Sequence, residues 1–194
     1  MLRARYISHS AMYGVLTLAS EDRALGVMVG SMGDGECLGG FLADAVGGRL
    51  DDGAPARIAQ CLLSLIADEH GPANRPTWLL FAAALVRPNA VDVCHAGDLR
   101  IQLVRDGVVI ATTIDHTMAS EYGAVPPSPH AGVVVRSIKR GEPPPDRATW
   151  PFDGSGRVLI TSYEVHQSST QAVAFPDEGY AARYASFAAI ELAF

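Results

Sequence analysis

Acidic side chains at the ends of apolar runs are the residues in this sequence whose type and spacing suit chemistry. Five carboxylates fall where an apolar run gives way to a turn, namely Asp22, Asp34, Asp98, Asp115 and Glu164. Carboxylate oxygens in such positions suit hard divalent cations such as Mg²⁺ or Mn²⁺. Asp34 is followed by Gly35, whose carbonyl is not covered by a side chain. Each Asp-Gly or Gly-Asp pair alone is an ordinary turn, so only their combination indicates a cation site.

Several common catalytic motifs are absent from the sequence. It contains no P-loop, no His-Glu-x-x-His, no Cys-x-x-Cys and no Gly-x-Ser-x-Gly elbow. Lys139 is the single lysine among 15 basic residues, which leaves little room for Schiff-base chemistry. The three cysteines are widely spaced, a pattern typical of buried thiols and not of a disulfide framework or a zinc site.

The elements that must position the carboxylates follow from the hydrophobic pattern. Two strands are predicted over 13–20 and 25–32, followed by a helix over 38–50 and a second helix that carries Ile58, Leu62 and Ile66 on one face. A meander of four strands comes next, over 77–86, 90–95, 99–104 and 108–113. After two proline-rich loops, strands are predicted over 133–138, 157–161 and 188–194, with a short helix over 177–184.

This order of strands and helices predicts an α+β fold, with antiparallel sheets and helices packed outside them. The chain has 194 residues, 48% of them hydrophobic and 19% charged, which suits a single domain over residues 1–194 with a buried core. A net charge of −6 argues against nucleic-acid binding. No apolar run approaches the ~20 residues of a membrane span, and the start lacks a signal-peptide pattern. We therefore expect no membrane association and a cytoplasmic location.

Read in order, several segments resemble the PPM (type 2C) metal-dependent Ser/Thr protein phosphatases. Residues 33–40 resemble that family's Asp-Gly-x-Gly-Gly turn, and residues 93–107 resemble its Gly-Asp-Ser-Arg strand. Residues 115–117, Asp-His-Thr, resemble its Asp-His-Ser/Thr motif, and 150–162 are similar to the approach to its Ser-Asp-Gly. The resemblance covers most of the chain and implies an α-β-β-α sandwich, two antiparallel sheets flanked by helices.

The resemblance also implies a metal site. Catalysis in the family uses two bridged metal ions, Mn²⁺ or Mg²⁺, whose water attacks the phosphorus. Matched residue by residue, Asp34, the Gly35 carbonyl and Asp98 would be metal ligands here. Two matched positions have lost their carboxylate, because the Asp of Ser-Asp-Gly falls on Tyr163 and that of the C-terminal Asp-Asn falls near Ala185.

Three neighbouring carboxylates are possible substitutes for the lost ligands, namely Glu36, Glu164 and Asp22. Side chains alternate along a strand, so Glu164 reaches the site only if a bulge or turn follows Tyr163. Asp22 is similar to the family's early Glu-Asp, and its alternative is a hairpin-turn aspartate. The candidates for the family's phosphate-binding arginine are Arg3, Arg5 and Arg23, each of which also fits an ordinary surface arginine.

Two functions of different classes remain open from the sequence. The first is a pseudophosphatase with a degenerate metal site, a binding or regulatory module in Ser/Thr phosphoprotein signalling whose partner is a phosphoprotein, a kinase or a phosphatase. The alternative is an active Mn²⁺- or Mg²⁺-dependent phosphomonoester hydrolase with ligands from Asp34, Glu36, Asp98 and Glu164. A third interpretation, an unrelated α+β domain, requires that two facing antiparallel sheets be absent.

Overall fold

A computed structural model describes residues 3–9, 12–31, 38–47, 50–67, 77–123, 132–166, 175–176, 180 and 186–193. The strands in chain order are β1 (Arg3–Ser8), β2 (Tyr13–Ala19), β3 (Ala24–Gly30), β4 (Trp78–Arg87), β5 (Ala90–Ala96), β6 (Arg100–Arg105), β7 (Val108–Thr112), β8 (Ile138–Lys139), β9 (Asp146–Pro151), β10 (Arg157–Thr161) and β11 (Ala188–Ala193). The helices are α1 (Leu38–Val46), α2 (Ala54–Ala67), α3 (Met118–Tyr122) and α4 (Tyr163–His166).

Two antiparallel sheets face each other. The first has the strand order β1-β11-β10-β6-β7, and the second has the order β2-β3-β4-β5-β9, with β8 paired to the start of β4. Helices flank the sheets, so the predicted sandwich architecture is confirmed. The facing sheets also remove the interpretation of an unrelated α+β domain.

Strand β4 lies at the centre of the packing because both of its faces are buried. One face, with Ala82 and Val86, packs into the core between the two sheets. The other face, with Phe81 and Leu85, packs under the apolar face of α2. Burial on both faces explains why this strand reads as a continuous apolar run and does not alternate with polar residues. Helix α2 begins with Pro55 in its first turn, where a missing N–H costs nothing.

The other predicted elements divide into three groups. The strands predicted over 13–20, 25–32, 77–86, 90–95, 99–104, 108–113, 157–161 and 188–194 are confirmed within one or two residues at their described ends. The predicted strand over 133–138 is wrong, because this segment makes only an isolated bridge between Thr117 and Val134 and contributes Ile138 to β8. Most of the helix predicted over 177–184 lies outside the described residues.

Two strands, β1 and β9, were not predicted from the sequence. Strand β1 is largely exposed and carries two arginines, so its alternation is weak. Strand β9 is exposed and directly follows a proline-rich loop. Both are edge strands, which expose more polar side chains than central strands do. Within the described residues, no helix is long and apolar enough to cross a membrane.

A tight turn at Gly97 links β5 to β6 and places Asp98. Gly97 has φ +104°, a conformation that L side chains rarely adopt, and an added Cβ would lie 2.5 Å from Leu80 Cδ2. Its N–H donates to His116 Nδ1 (3.1 Å), and its carbonyl accepts from the His116 N–H (2.8 Å). The turn is therefore fixed both by space and by hydrogen bonds.

We expect Gly97→Ala to lower the free energy of unfolding by about 2–4 kcal/mol, since it adds backbone strain to an overpacked contact. Gly141→Ala is the matched control, because Gly141 also has positive φ (+84°) but an added Cβ there meets nothing within 4 Å. The control should lose only about 1–2 kcal/mol. Urea denaturation measures both, and equal losses would contradict the contact with Leu80.

Candidate functional site

A cavity of about 420 Å³ opens where the ends of several elements meet. Its lining comes from the start of β2, the residue after β3, the start of β4, the turn after β5, residues 132–134 and the first turn of α4. Tyr13, Trp78 and Leu80 form apolar walls, and Asp98 and Glu164 contribute carboxylates. Two of the five acidic residues singled out in the sequence are thus brought together.

Asp98 is the more perturbed of the two carboxylates. It is only 8% exposed. Burial, reinforced by the negative charges of Asp115 and Glu164, raises its pKa to about 7, against a smaller opposing effect of its own backbone N–H. Among the described residues, no side chain donates a hydrogen bond to Asp98, which therefore lines the cavity as an uncompensated acid.

Glu164 reaches the cavity because the strand ends before it. Strand β10 stops at Thr161 and α4 begins at Tyr163, so the side-chain alternation of a strand no longer applies. The Glu164 carboxylate accepts a hydrogen bond from Tyr13 Oη at 3.1 Å. Burial, together with the charge of Glu164, raises the pKa of Tyr13, so its phenol stays protonated and donates.

Tyr163 occupies the position at which the family resemblance expects a metal-binding aspartate. An added Cβ at Gly132 would lie 3.0 Å from Tyr163 Oη, so the phenol packs directly against that glycine. The ring also meets His166 edge to face, with 5.8 Å between the centroids. An aromatic side chain therefore lies beside Gly132, which lines the cavity.

Asp115, the neighbouring strand-end acid, is fully engaged within the protein. The Arg100 guanidinium donates hydrogen bonds to both carboxylate oxygens of Asp115, and His166 Nε2 lies 3.3 Å from Asp115 Oδ2. Burial would raise the pKa of Asp115, but hydrogen bonds from His166 and Arg100 outweigh it and hold the pKa below its usual range. Asp115 is thus a buried anchor and not a free ligand.

His166 completes a buried chain from Asp115 to Thr161. Its Nδ1 lies 3.0 Å from Thr161 Oγ1. Burial lowers the pKa of His166, so the imidazole is neutral. The hydroxyl–imidazole–carboxylate order is that of a nucleophilic triad. However, Thr161 is 2% exposed and His166 is 1% exposed, so no substrate reaches the Thr161 hydroxyl. This series of side-chain contacts is therefore structural.

A second cluster, of His95, His116 and Asp146, brings three metal-ligating groups within 4.8 Å of one another. The two imidazoles stack with 4.6 Å between their centroids. His116 Nδ1 accepts from the Gly97 N–H, so Nε2 carries the proton and donates to Asp146 Oδ2 at 3.0 Å. His95 Nε2 lies 2.9 Å from the Ile114 carbonyl and donates to it.

These hydrogen bonds do not fit a metal ion. The His116 lone pair is used, and its other nitrogen is protonated. The Arg136 guanidinium lies 2.8 Å from Asp146 Oδ1 and 3.1 Å from His116 Nε2, so a cation already balances the carboxylate. The two hydrogen bonds of the His116 ring and the positive charge of Arg136 therefore make this cluster a structural network.

The other candidate residues from the sequence either lie far from the cavity or fall outside the described residues. Asp22 lies in the β2–β3 turn, bonded to Ser20 Oγ, about 20 Å along the hairpin from Tyr13 at the strand rise of ~3.3 Å per residue. The structure therefore does not bring Asp22 to Asp98. Asp34, Gly35, Glu36 and Ala185 lie outside the described residues.

The three candidate arginines are not in the cavity lining that the structure describes. Arg23 binds Asp52 at 2.6 Å and also the Leu50 carbonyl. Arg5 pairs with Glu191 and stacks on the Phe175 ring, 4.1 Å from its centroid. Arg3 lies exposed on β1.

Tyr13 and Trp78 were missed by the sequence reading. Each is the first residue of a strand, and nothing in the local pattern distinguishes it from an ordinary aromatic residue. Their role in the cavity depends on where α4 and residues 132–134 pack.

Comparison with known proteins adds the fold family. No protein-family model and no curated protein matches the sequence. Among solved structures, the serine/threonine phosphatase Stp1 of Staphylococcus aureus matches with a TM-score of 0.76 and 14% identity, over 100% of this chain and 94% of that chain. PppA of Pseudomonas aeruginosa, described as a key regulatory component of T6SS, matches with a TM-score of 0.71 and 18% identity, over 100% and 98%.

A further match is the Mycobacterium tuberculosis serine/threonine phosphatase PstP/Ppp, with a TM-score of 0.71 and 18% identity over 99% of this chain and 97% of that chain. A structure of the PstP catalytic domain in complex with two manganese ions matches with a TM-score of 0.70 and 19% identity over the same shares of the two chains. At these identities the likeness concerns the fold, and this chain has the fold of PPM-type Ser/Thr phosphatases along its whole length.

The raised pKa of Asp98 predicts a pH dependence of stability. Its ordinary pKa is 3.8 and the folded value is about 7. Between these values the folded state holds a proton that the unfolded chain has released, so the free energy of unfolding falls as the pH rises from about 4 to about 7. Asp98→Asn should remove this component and gain up to about 4 kcal/mol relative to wild type across that window. Urea denaturation in a chelating buffer measures the difference.

Asp106→Asn is the control for that measurement. It makes the same charge change in the β6–β7 turn, at a φ of +50° that asparagine tolerates. Its pH profile should run parallel to wild type. Parallel profiles for Asp98→Asn as well would contradict the raised pKa.

The network around His116 predicts that this residue stabilises the fold. We expect His116→Ala to lower the free energy of unfolding by about 2–4 kcal/mol, because it leaves the buried Gly97 N–H without an acceptor and opens a cavity. The exposed His9→Ala is the control and should lose no more than about 0.5 kcal/mol. Urea denaturation measures both variants, and equal losses would contradict the structural assignment of His116.

Proposed function

We propose that this chain is a pseudophosphatase, a phosphatase-fold module that binds a protein partner in Ser/Thr phosphoprotein signalling. The observation that carries the proposal is Tyr163, an aromatic residue packed against Gly132 where the family resemblance expects a metal-binding aspartate. Ala185 matches the second lost aspartate. The fold is retained while two acids of the shared metal site are replaced, and function depends on the site and not on the fold.

The carboxylates around the cavity support the same conclusion. Two bridged ions need several convergent carboxylates, as in the two-metal sites of phosphatases. In the described lining only Asp98 and Glu164 are acidic, and Glu164 already accepts a hydrogen bond from Tyr13. Asp34 and the Gly35 carbonyl are predicted to complete at most a single weak site, because Mg²⁺ gives up its waters reluctantly. The residues present therefore fit one Mn²⁺ or Mg²⁺ ion at best and do not fit a bridged pair.

The partner follows from the neighbours' activity. Stp1 and PstP are described as serine/threonine phosphatases. A domain that keeps their fold without their metal pair would retain a cleft for protein recognition. We therefore propose a phosphoprotein, a kinase or a phosphatase as the partner, in the cytoplasm.

One observation favours the alternative of an active enzyme. Glu164 turns towards the cavity beside Asp98, although its place in the sequence is one residue away from the lost ligand. If Asp34 and Glu36 also contribute, four carboxylates would be available to Mn²⁺ or Mg²⁺. In that case the chain would hydrolyse phosphomonoesters of serine and threonine.

Turnover distinguishes the two proposals. Wild-type protein, Asp34→Ala and Asp98→Asn are assayed with Mn²⁺ on an aryl phosphate and on phosphoserine and phosphothreonine peptides. We expect no Mn²⁺-dependent turnover in wild type above that of the two variants. Wild-type turnover that disappears in Asp34→Ala would establish the active enzyme and overturn the pseudophosphatase.

Restoring the lost acids tests the reason for the inactivity. The double variant Tyr163→Asp with Ala185→Asp should bind Mn²⁺ at least about tenfold more tightly than wild type, a gain of about 1.4 kcal/mol. Tyr163→Phe with Ala185→Ser is the matched control, since it alters the same positions without adding carboxylates. Calorimetry measures all three proteins, and a wild-type affinity equal to that of the double variant would contradict the assigned loss.

A further inference from the structure

The cavity beside Asp98 combines apolar walls with negative charge. Tyr13, Trp78, Leu80 and Val134 line it along with the two carboxylates, and no lysine or arginine belongs to the lining that the structure describes. Its volume of about 420 Å³ lies within the range of ~300–1,000 Å³ typical of ligand sites. A phosphate group would meet two acids there and no cation, so the described walls do not suit a phosphorylated side chain.

Asp98 gives this cavity an unsatisfied polar group. The side chain is more than nine-tenths buried, at 8% exposure, and it lines the cavity. Within the described residues, its carboxylate has no hydrogen-bond partner on another residue, and only its own backbone N–H contributes. Glu164 differs, because Tyr13 Oη donates to it. A buried carboxylate without a donor is costly, and a ligand that brings a donor or a positive charge offsets that cost.

We propose that the cavity takes the cationic side chain of an arginine or lysine presented by a partner protein. The aliphatic stem would lie against Leu80 and Val134, and the charged head would meet the aromatic faces of Tyr13 and Trp78. Charge-assisted hydrogen bonds would then run from the head to Asp98. This inference rests on the proposed function, since it names the chemistry by which the former substrate cleft holds a protein.

Small organic cations test the proposal directly. Metal-free protein is titrated with n-butylguanidinium, with n-butylammonium and with neutral 1-pentanol, and binding is followed by the NMR signal of the Trp78 indole N–H, assigned with Trp78→Phe. At least one cation should bind about tenfold more tightly than the alcohol, a difference in line with a desolvated cation–π contact and an ion pair. Asp98→Asn should reduce the cation's affinity to that of the alcohol, whereas Asp106→Asn should leave it unchanged.

Glu164→Gln serves as a second, independent variant. The amide oxygen still accepts from Tyr13 Oη, so the wall is kept while one negative charge is removed. We expect a smaller but measurable loss of cation affinity. Equal affinity for the cations and the alcohol, no saturable shift with either cation, or unchanged cation affinity in both variants would overturn the proposal.

Mn²⁺ binding and Mn²⁺-dependent turnover separate a failure of this inference from a failure of the proposed function. Mn²⁺ binding at Asp98 in a protein that binds neither organic cation would overturn the cationic ligand, while the absence of turnover would leave the pseudophosphatase intact. Mn²⁺-dependent turnover would instead overturn the proposed function, whatever the organic cations do. The two failures are therefore distinguishable.

Discussion

The exchange of hydrogen bonds between Gly97 and His116 is the contact on which the site depends. The Gly97 N–H donates to the imidazole and its carbonyl accepts from the His116 backbone, so the turn before Asp98 is tied to the segment after β7. The His116 carbonyl accepts from the Val135 N–H, and its Nε2 reaches Asp146 at the start of β9. One buried residue thereby positions both Asp98 and residues 132–134, two parts of the same cavity.

Asp98 and Asp115 show how the fold assigns different roles to similar residues. Both are buried aspartates that follow a strand. Arg100 and His166 compensate Asp115 and hold its pKa below the usual range. Asp98 receives no such partner in the described part of the chain, and burial raises its pKa to about 7. Environments that push two pKa values apart in this way mark the uncompensated group as the one available to a ligand.

The strands that could be predicted best from the sequence are those buried along their whole length. Strands β3 and β4 are buried along their length, so their apolar runs were readable without knowledge of their partners. The segment over 133–138 has the same β-branched composition, but Val135 bonds to the His116 carbonyl in a loop, so no strand forms. The composition of this segment indicates that it is buried, but it does not indicate which strand, if any, it pairs with.

The site was less predictable because its contacts join distant parts of the chain. Tyr13 and Glu164 are 151 residues apart, and their contact depends on α4 starting directly after Ser162. The same uncertainty about element boundaries made Asp22 a candidate, because a hairpin turn and a strand end look alike in sequence. The Gly-Asp pair that contains Asp98 is a local motif and could be recognised in the sequence, whereas the apolar walls around it come from three separate segments.

The fold can be retained without a metal centre because its supports lie elsewhere. The core between the sheets and the core under α1 and α2 are apolar. The carboxylate of the buried Asp115 pairs with Arg100 and that of the half-exposed Asp146 pairs with Arg136, with the imidazoles of His166 and His116 beside them, so neither pairing needs an ion from solvent. Tyr163 contributes a contact with Gly132, so an aromatic residue at this position is compatible with both sheets. These supports of the fold do not involve the two carboxylates of the cavity, as the proposed pseudophosphatase requires.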